Sequence, residues 1–299
     1  PLADAALHHF AAPGKMLRAK MALRAADYLK VDRPAALHWA AAIEVLHNAS
    51  LIHDDICDGD RLRRGRPAVW SQFGRDVAVA LGDWLVALSF ELAAEAAQRA
   101  PTPMLVKILA THMRTTTLGE AREFDLQPVT DWQHYLQGAG DKTAPLLTAP
   151  IEGVATMALH GGSAPTSGAR FQGPCVAPQI CNDMLNFSGR DGAAPCGSDL
   201  GRRAPNGVVV LFRDYLDDSR RADFDDWYRS GSDDGFEDWL AALRTSRAPA
   251  EAARRMNMML DDASRLSESL PAELSAVIRP IQQLLQQVCL KSVASLSKG

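Results

Sequence analysis

His53-Asp54-Asp55-Ile56-Cys57-Asp58-Gly59-Asp60-Arg61-Leu62-Arg63-Arg64-Gly65-Arg66-Pro67 sets a block of carboxylates directly ahead of a block of guanidiniums. Upstream of it Ala42, Val45, Leu46 and Ala49 fall at helical spacing, so Asp54 and Asp58, four apart, share one helix face. Two carboxylates aimed at one point repel each other unless a cation lies between them. Oxygen-only ligands favour a hard ion such as Mg²⁺, which ordinarily shares its shell with phosphate oxygens. Arginine is the forked partner of phosphate. The stretch therefore reads as a magnesium-diphosphate site.

The rest of the chain is built to carry helices. It is 47% hydrophobic and 23% charged over 299 residues, ordinary values for a soluble globular protein. The apolar content is rich in alanine and leucine with only 6% aromatic residues and few alternating β-branched runs, which predicts an all-α protein. No repeat of fixed period and no linker divides it, so residues 1–299 are expected to form a single domain. A formal charge of -4 argues against non-specific nucleic-acid binding. Cys57, Cys175, Cys181, Cys196 and Cys289 are odd in number and lack CxxC spacing, which suggests reduced thiols in a cytoplasmic protein. No signal peptide and no uninterrupted apolar run long enough to span a bilayer is read. The chain begins at Pro1 rather than Met, so an N-terminal piece is expected to be missing.

Outward from the acidic block, Lys15 and Arg18 are three apart and predict neighbours on the first turn of a helix within Ala11–Leu29. Taken alone, they read more readily as a solvated basic helix start, since charged residues are mostly surface residues. Arg33–Asn48 is a second helical pattern, with His47 two turns before the aspartates. Val69–Arg99 reads as one long buried helix ended by Pro101 and Pro103. Met104 to about Phe124 carries Glu120, Glu123 and Asp125, and Trp132–Leu159 carries Lys142, which either snorkels to the surface or faces a polar cavity. Ala169–Asn186 holds Gln179, Asn182, Asp183 and Asn186 beyond two prolines that predict a bend. Ser188–Gly207 has the length and composition of a mobile lid. The acidic pairs between Asp214 and Asp238 lack basic or apolar company and read as solvated surface.

From Gly14 to about Val210 these residues resemble the trans-isoprenyl diphosphate synthases, or polyprenyl synthetases. Asp54-Asp55-Ile56-Cys57-Asp58 matches that family's first aspartate-rich motif DDxxD, and Arg63-Arg64-Gly65-Arg66-Pro67 matches the RRGxP that follows it. DDxxD alone is weak; with RRGxP at this spacing it is strong. Gly14-Lys15-Met16-Leu17-Arg18 resembles GKxxR, His47 matches the histidine seven residues before the first aspartate, and Lys142-Thr143 matches the KT pair. The resemblance implies that Lys15, Arg18, His47 and Arg64 grip the diphosphate of isopentenyl diphosphate. It implies further that Arg63 touches the allylic diphosphate, and it turns Lys142 towards the cavity. The implied fold is a bundle of roughly a dozen helices around a deep cavity. The implied chemistry is ionisation, condensation and elimination, with Mg²⁺ (up to three ions with diphosphate bound), Asp54, Asp55, Asp58, Arg63 and Lys142 as the catalytic set. A cytoplasmic homodimer without a membrane span or nucleic-acid partner completes the expectation.

The second half departs from the pattern. Where the family has a second DDxxD this chain has Asn182-Asp183-Met184-Leu185-Asn186, with Asn182 and Asp183 left as metal ligands. Ala204 and Asn206 stand at the lysine and threonine of KxT with Arg203 beside them as a stand-in, and Pro178 precedes Gln179 where phenylalanine is expected. The complete isopentenyl grip favours a chain-elongating synthase. A synthase-like terpene cyclase, whose NSE motif Asn182-Asp183 resembles at its start, fits poorly because Asn186 and Arg190 fall where that motif needs Ser or Thr and an acid. A regulatory subunit of a heteromeric synthase would more naturally have lost the first motif. Ala49 and Ser50, five and four residues before Asp54, are small where the family places an aromatic to stop growth, which predicts a product of C20 or longer.

Overall fold

The computed structural model describes residues 1–122, 131–159, 168–188 and 195–268, with a few isolated positions beyond them. It contains thirteen helices and a single hairpin of two-residue strands among the described residues, the all-α class expected. The chain gathers into two compact units, residues 1–114 with 145–169, and residues 115–144 with 170–299.

The first unit is built on α3 (Arg33–Asp58), which extends the predicted helix through the whole aspartate block. Asp32 caps it by accepting from the Ala35 amide at 3.0 Å, and Pro34 occupies its first turn, where the missing N–H costs nothing. Gly59, at φ 68°, ends it in the left-handed region that glycine tolerates. Trp39, Ile43, Leu46 and Ile52 line its fully buried side. Against α3 pack α2 (Leu17–Leu29) and α5 (Arg75–Arg99), with α1 (Leu2–Phe10) and α4 (Val69–Phe73) against α5. Val69–Arg99 is two helices rather than one. Gly74, at φ 91° and ψ 157°, takes a conformation closed to other residues and separates α4 from α5. By length and composition α5 could cross a bilayer, with a mean hydropathy of 1.7 over an 18-residue window, contrary to the expectation that no such run exists. One side of it, including Leu81, Gly82 and Leu85, is buried.

The second unit centres on α8 (Gly168–Asn186) and α10 (Gly207–Asp214), with α11 (Asp218–Ser230), α12 (Phe236–Thr245) and α13 (Ala248–Glu268) around a core that includes Ile180, Leu211, Phe224, Leu243 and Met256. Helices α6 (Met104–Ala121) and α7 (Trp132–Ala158) run through both units. Within the second unit α6 and α7 approach at Gly119, where a Cβ would lie 2.5 Å from the Lys142 amide nitrogen. Short α9 (Ser198–Arg202) fills part of the stretch read as a lid. Residues 189–194 of that stretch, Glu123 and Asp125, Arg190 and Cys289 lie outside the described residues, as do the Pro174, Cys175 and Pro178 side chains. The acidic pairs are mostly surface, yet Asp225 is half-buried in a forked pair with Arg213 (2.6 Å twice) and Asp217 caps α11.

Candidate diphosphate and metal site

In the first unit the aspartates occupy the last two turns of α3. Anions are disfavoured at a helix C-terminus, where the backbone carbonyls already point outward. This placement is one that a bound cation would relieve. Asp54 and Asp58 are half-buried and four apart on one face. Asp55 is fully buried and serves another purpose. Its Oδ1 accepts from Arg63 Nε at 2.7 Å and from Nη2 of the same guanidinium, while Oδ2 has no hydrogen-bond partner. Burial pushes the Asp55 carboxyl up and the Arg63 contact pulls it back down, the pattern of a carboxylate spent on orienting its neighbour. Among the described residues no three ligating side chains converge. Two carboxylates with the remaining positions left to phosphate and water is the usual pattern for Mg²⁺, so the donor set at Asp54 and Asp58 fits that ion.

The guanidiniums follow on a hairpin. Strands β1 (Leu62–Arg63) and β2 (Arg66–Pro67) pair antiparallel, with Arg63 opposite Arg66. Arg64 and Gly65, at φ 54° and 74°, form a two-residue turn whose positive φ angles suit strand twist. Arg64 reaches back to donate to the Ala12 carbonyl at 2.8 Å. Arg18 of α2 donates to the Leu146 carbonyl at 3.1 Å. His47 is held well below the usual histidine range, first by burial and then by the charges of Arg18, Arg64 and Arg63, so it is a neutral imidazole among three guanidiniums. Lys15 does not sit on the first turn of α2 as expected. Met16, left-handed at φ 48°, starts the helix one residue later and leaves Lys15 exposed on the approach. Ser50 donates to the His47 carbonyl at 2.9 Å, and Ala49 is fully buried in an apolar cluster with Ile52, Val69 and Leu81.

In the second unit Lys142 lies 2.7 Å from Glu120 Oε2, both largely buried, and Thr143 is half-buried beside it. Asn182 is exposed. Asp183, by contrast, is buried and committed: Oδ2 accepts from Tyr135 Oη and from the Gly207 amide, each at 2.6 Å, and Oδ1 accepts from Gln179 Nε2 at 3.0 Å. Burial, reinforced by Asp199, pushes it up to about 7 against the pull of those donors. Asn186 donates to Ser198 Oγ at 2.7 Å and accepts from the Asp199 amide at 3.2 Å, fastening α9. Arg203 is buried, donating to the carbonyls of Leu200, Gly201 and Ser232 and lying 4.0 Å over the Trp227 ring. The reading of Arg203 as a diphosphate contact is therefore corrected, because its guanidinium is spent inside the fold. Asp183 and Gln179 likewise hold each other rather than stand open to a ligand. Sequence reading does not single out Tyr135 and Gly207, whose partner Asp183 lies 48 and 24 positions away in sequence.

An all-helical chain with a carboxylate-bearing helix end followed by an arginine hairpin has the donor set of a helical diphosphate-handling protein. Comparison makes the class specific: the chain belongs to the polyprenyl synthetase family, whose model matches residues 1–240. The crystal structure of a polyprenyl synthase from Caulobacter crescentus, complexed with calcium and isoprenyl diphosphate, superposes with a TM-score of 0.77 at 26% identity, covering 95% of this chain and 88% of that one. Heptaprenyl diphosphate synthase component 2 of Geobacillus stearothermophilus is 34% identical over 206 residues, 67% of this chain and 63% of that protein. A geranylgeranyl diphosphate synthase of Saccharolobus solfataricus is 37% identical over 153 residues, 49% of this chain and 46% of that protein. The chain thus spans between 46% and 63% of the length of these two curated relatives.

Proposed function

We propose that the protein is a Mg²⁺-dependent prenyltransferase that condenses an allylic diphosphate with isopentenyl diphosphate, head to tail, to give a polyprenyl diphosphate of C20 or longer. The observation that carries this reading is the gathering of Arg18, His47, Arg63 and Arg64 in the unit that ends α3 in Asp54 and Asp58. Lys15, Arg18, His47 and Arg64 hold the isopentenyl diphosphate, with neutral His47 adding a donor without further charge. Asp55 holds Arg63 in place, so that its guanidinium neutralises charge on the departing allylic diphosphate. In the second unit Lys142, paired with Glu120 and next to Thr143, supplies a cation for diphosphate oxygens. Asp54 and Asp58 would hold Mg²⁺ in the first unit, and exposed Asn182 offers an amide oxygen to such an ion in the second, with up to three ions expected in all. When bound, the ions stabilise the diphosphate leaving group as Lewis acids. No side chain acts as a nucleophile; the double bond of isopentenyl diphosphate attacks the allylic cation and a proton is then lost.

The Caulobacter structure, complexed with calcium and isoprenyl diphosphate, supports the substrate class. Cys57, Cys181 and Cys196, present as thiols, support a reducing, cytoplasmic setting. Exposed Val79 and Trp84 on α5 support a homodimer that covers them. The relative named as component 2 of a heptaprenyl synthase supports a second reading, an active chain working with a partner component. Farnesyl diphosphate, labelled isopentenyl diphosphate and Mg²⁺ separate these. Extension by the chain alone fits the proposal, and extension only with an added chain fits the component. Hydrocarbon released from a long diphosphate alone would point instead to a cyclase.

A further inference from the structure

Helix α1 carries two histidines that no motif explains, and one of them is fixed to the arginine hairpin at both ring nitrogens. His8 Nε2 lies 2.8 Å from the Pro67 carbonyl, and Arg66 Nη2 lies 3.2 Å from His8 Nδ1. A carbonyl only accepts and a guanidinium only donates. Nε2 therefore carries the proton and Nδ1 is bare, so the geometry admits His8 only as the neutral Nε2–H tautomer. Phe73 of α4 meets the ring edge-on at 5.3 Å and limits its rotation.

Charge makes the neutral form matter. Arg66 is paired across the hairpin with Arg63, and both line one cleft with Arg64, His8 and His9. Asp55 offsets Arg63. On α1 itself, His9 is buried and turned to Asn48 Oδ1 at 2.9 Å, while Asp4 is exposed one turn earlier. Loss of the two His8 contacts would leave the mutual repulsion of these guanidiniums to loosen β2 and, with it, the turn that aims Arg64.

We propose that His8 is a positioning residue which, in its neutral form, docks α1 onto β2 and holds the arginine hairpin in its diphosphate-binding geometry. This rests on the function proposed above. The test compares wild type, His8→Phe and His8→Gln, whose amide can donate to Pro67 and accept from Arg66 as the neutral imidazole does. Binding of inorganic diphosphate is followed by calorimetry and the KM for isopentenyl diphosphate by turnover. His8→Phe should weaken both about fivefold with the KM for the allylic substrate unchanged, and His8→Gln should stay within about twofold of wild type. Equal binding by His8→Phe and wild type, or a loss in His8→Gln as large as that in His8→Phe, would overturn the proposal. Should wild type fail to use isopentenyl diphosphate, the prenyltransferase reading falls, while the calorimetric comparison still decides the role of His8.

Discussion

The guanidinium of Arg64 occupies the space that a side chain on Gly14 would need. A Cβ at position 14 would lie 2.6 Å from Arg64 Nη2 and 2.9 Å from its Cζ. The glycine of GKxxR and the second arginine of RRGxP, 50 positions apart, are thus one feature of the diphosphate grip. Gly14→Ala displaces the flexible end of Arg64 and leaves the backbone alone. The expected outcome is a rise of about tenfold in the KM for isopentenyl diphosphate, from misplacement of one binding group, with little loss of thermal stability. Unchanged KM in steady-state assays would show that Arg64 grips from elsewhere.

Asp183 gives the fold a pH signature. An aspartate in the unfolded chain loses its proton near about pH 4, whereas folded Asp183 keeps it up to about 7. The folded state binds more protons between those values. The stability from this site is fully present below about pH 4 and is lost as pH rises through about 7. Asp183→Asn keeps the shape without the charge. Melting temperatures of wild type should therefore fall relative to the variant between about pH 5 and 8; a difference independent of pH would mean that Asp183 is ionised throughout.

The two amides of the second motif should behave differently. Asn182 is exposed and Asn186 is spent on Ser198 and Asp199. Asn182→Asp is expected to lower the Mg²⁺ concentration for half-maximal rate. Asn186→Asp should leave it unchanged and cost about 1–3 kcal/mol of stability, because it places a charge among buried groups near Asp199. A lowered requirement in Asn186→Asp alone would make Asn186 a ligand and contradict its role as a fastening for α9.

Arg203 should matter to folding rather than to substrate. Removing three carbonyl bonds and the stacking on Trp227 in Arg203→Ala should cost about 2–4 kcal/mol in denaturant unfolding. Allylic KM measured at a temperature where the variant is folded should stay near wild type. A raised KM with undiminished stability would restore the diphosphate contact.

These contrasts mark where sequence reading stops. The α-helical class and the body of α3 follow from a local signal, apolar spacing, whereas the hairpin goes unread although its Arg64-Gly65 turn is local too. Asp54 and Asp58 could be placed on one face because helix geometry is local as well. The direction of a side chain is not. Whether Asp55 or Asp54 turns inward, whether Arg203 meets a ligand or Trp227, and that Asn186 ties down α9 depend on partners between 8 and 29 positions away. Lys15 was misplaced because Met16 adopts a left-handed backbone without being glycine, for which no residue-type signal exists. Gly74 is the opposite case, a single glycine inside an apolar pattern whose break could have been taken seriously.

The account rests on elongation by this chain with Asp54 and Asp58 holding the metal. The direct measurement is chromatography of the labelled alcohols released from products of the purified chain, fed farnesyl diphosphate, labelled isopentenyl diphosphate and Mg²⁺, beside Asp54→Asn. Label in alcohols of C20 or longer, dependent on Mg²⁺ and reduced at least about a hundredfold in Asp54→Asn, is the predicted result. Recovery of unextended farnesol alone, or equal elongation by Asp54→Asn, would contradict it.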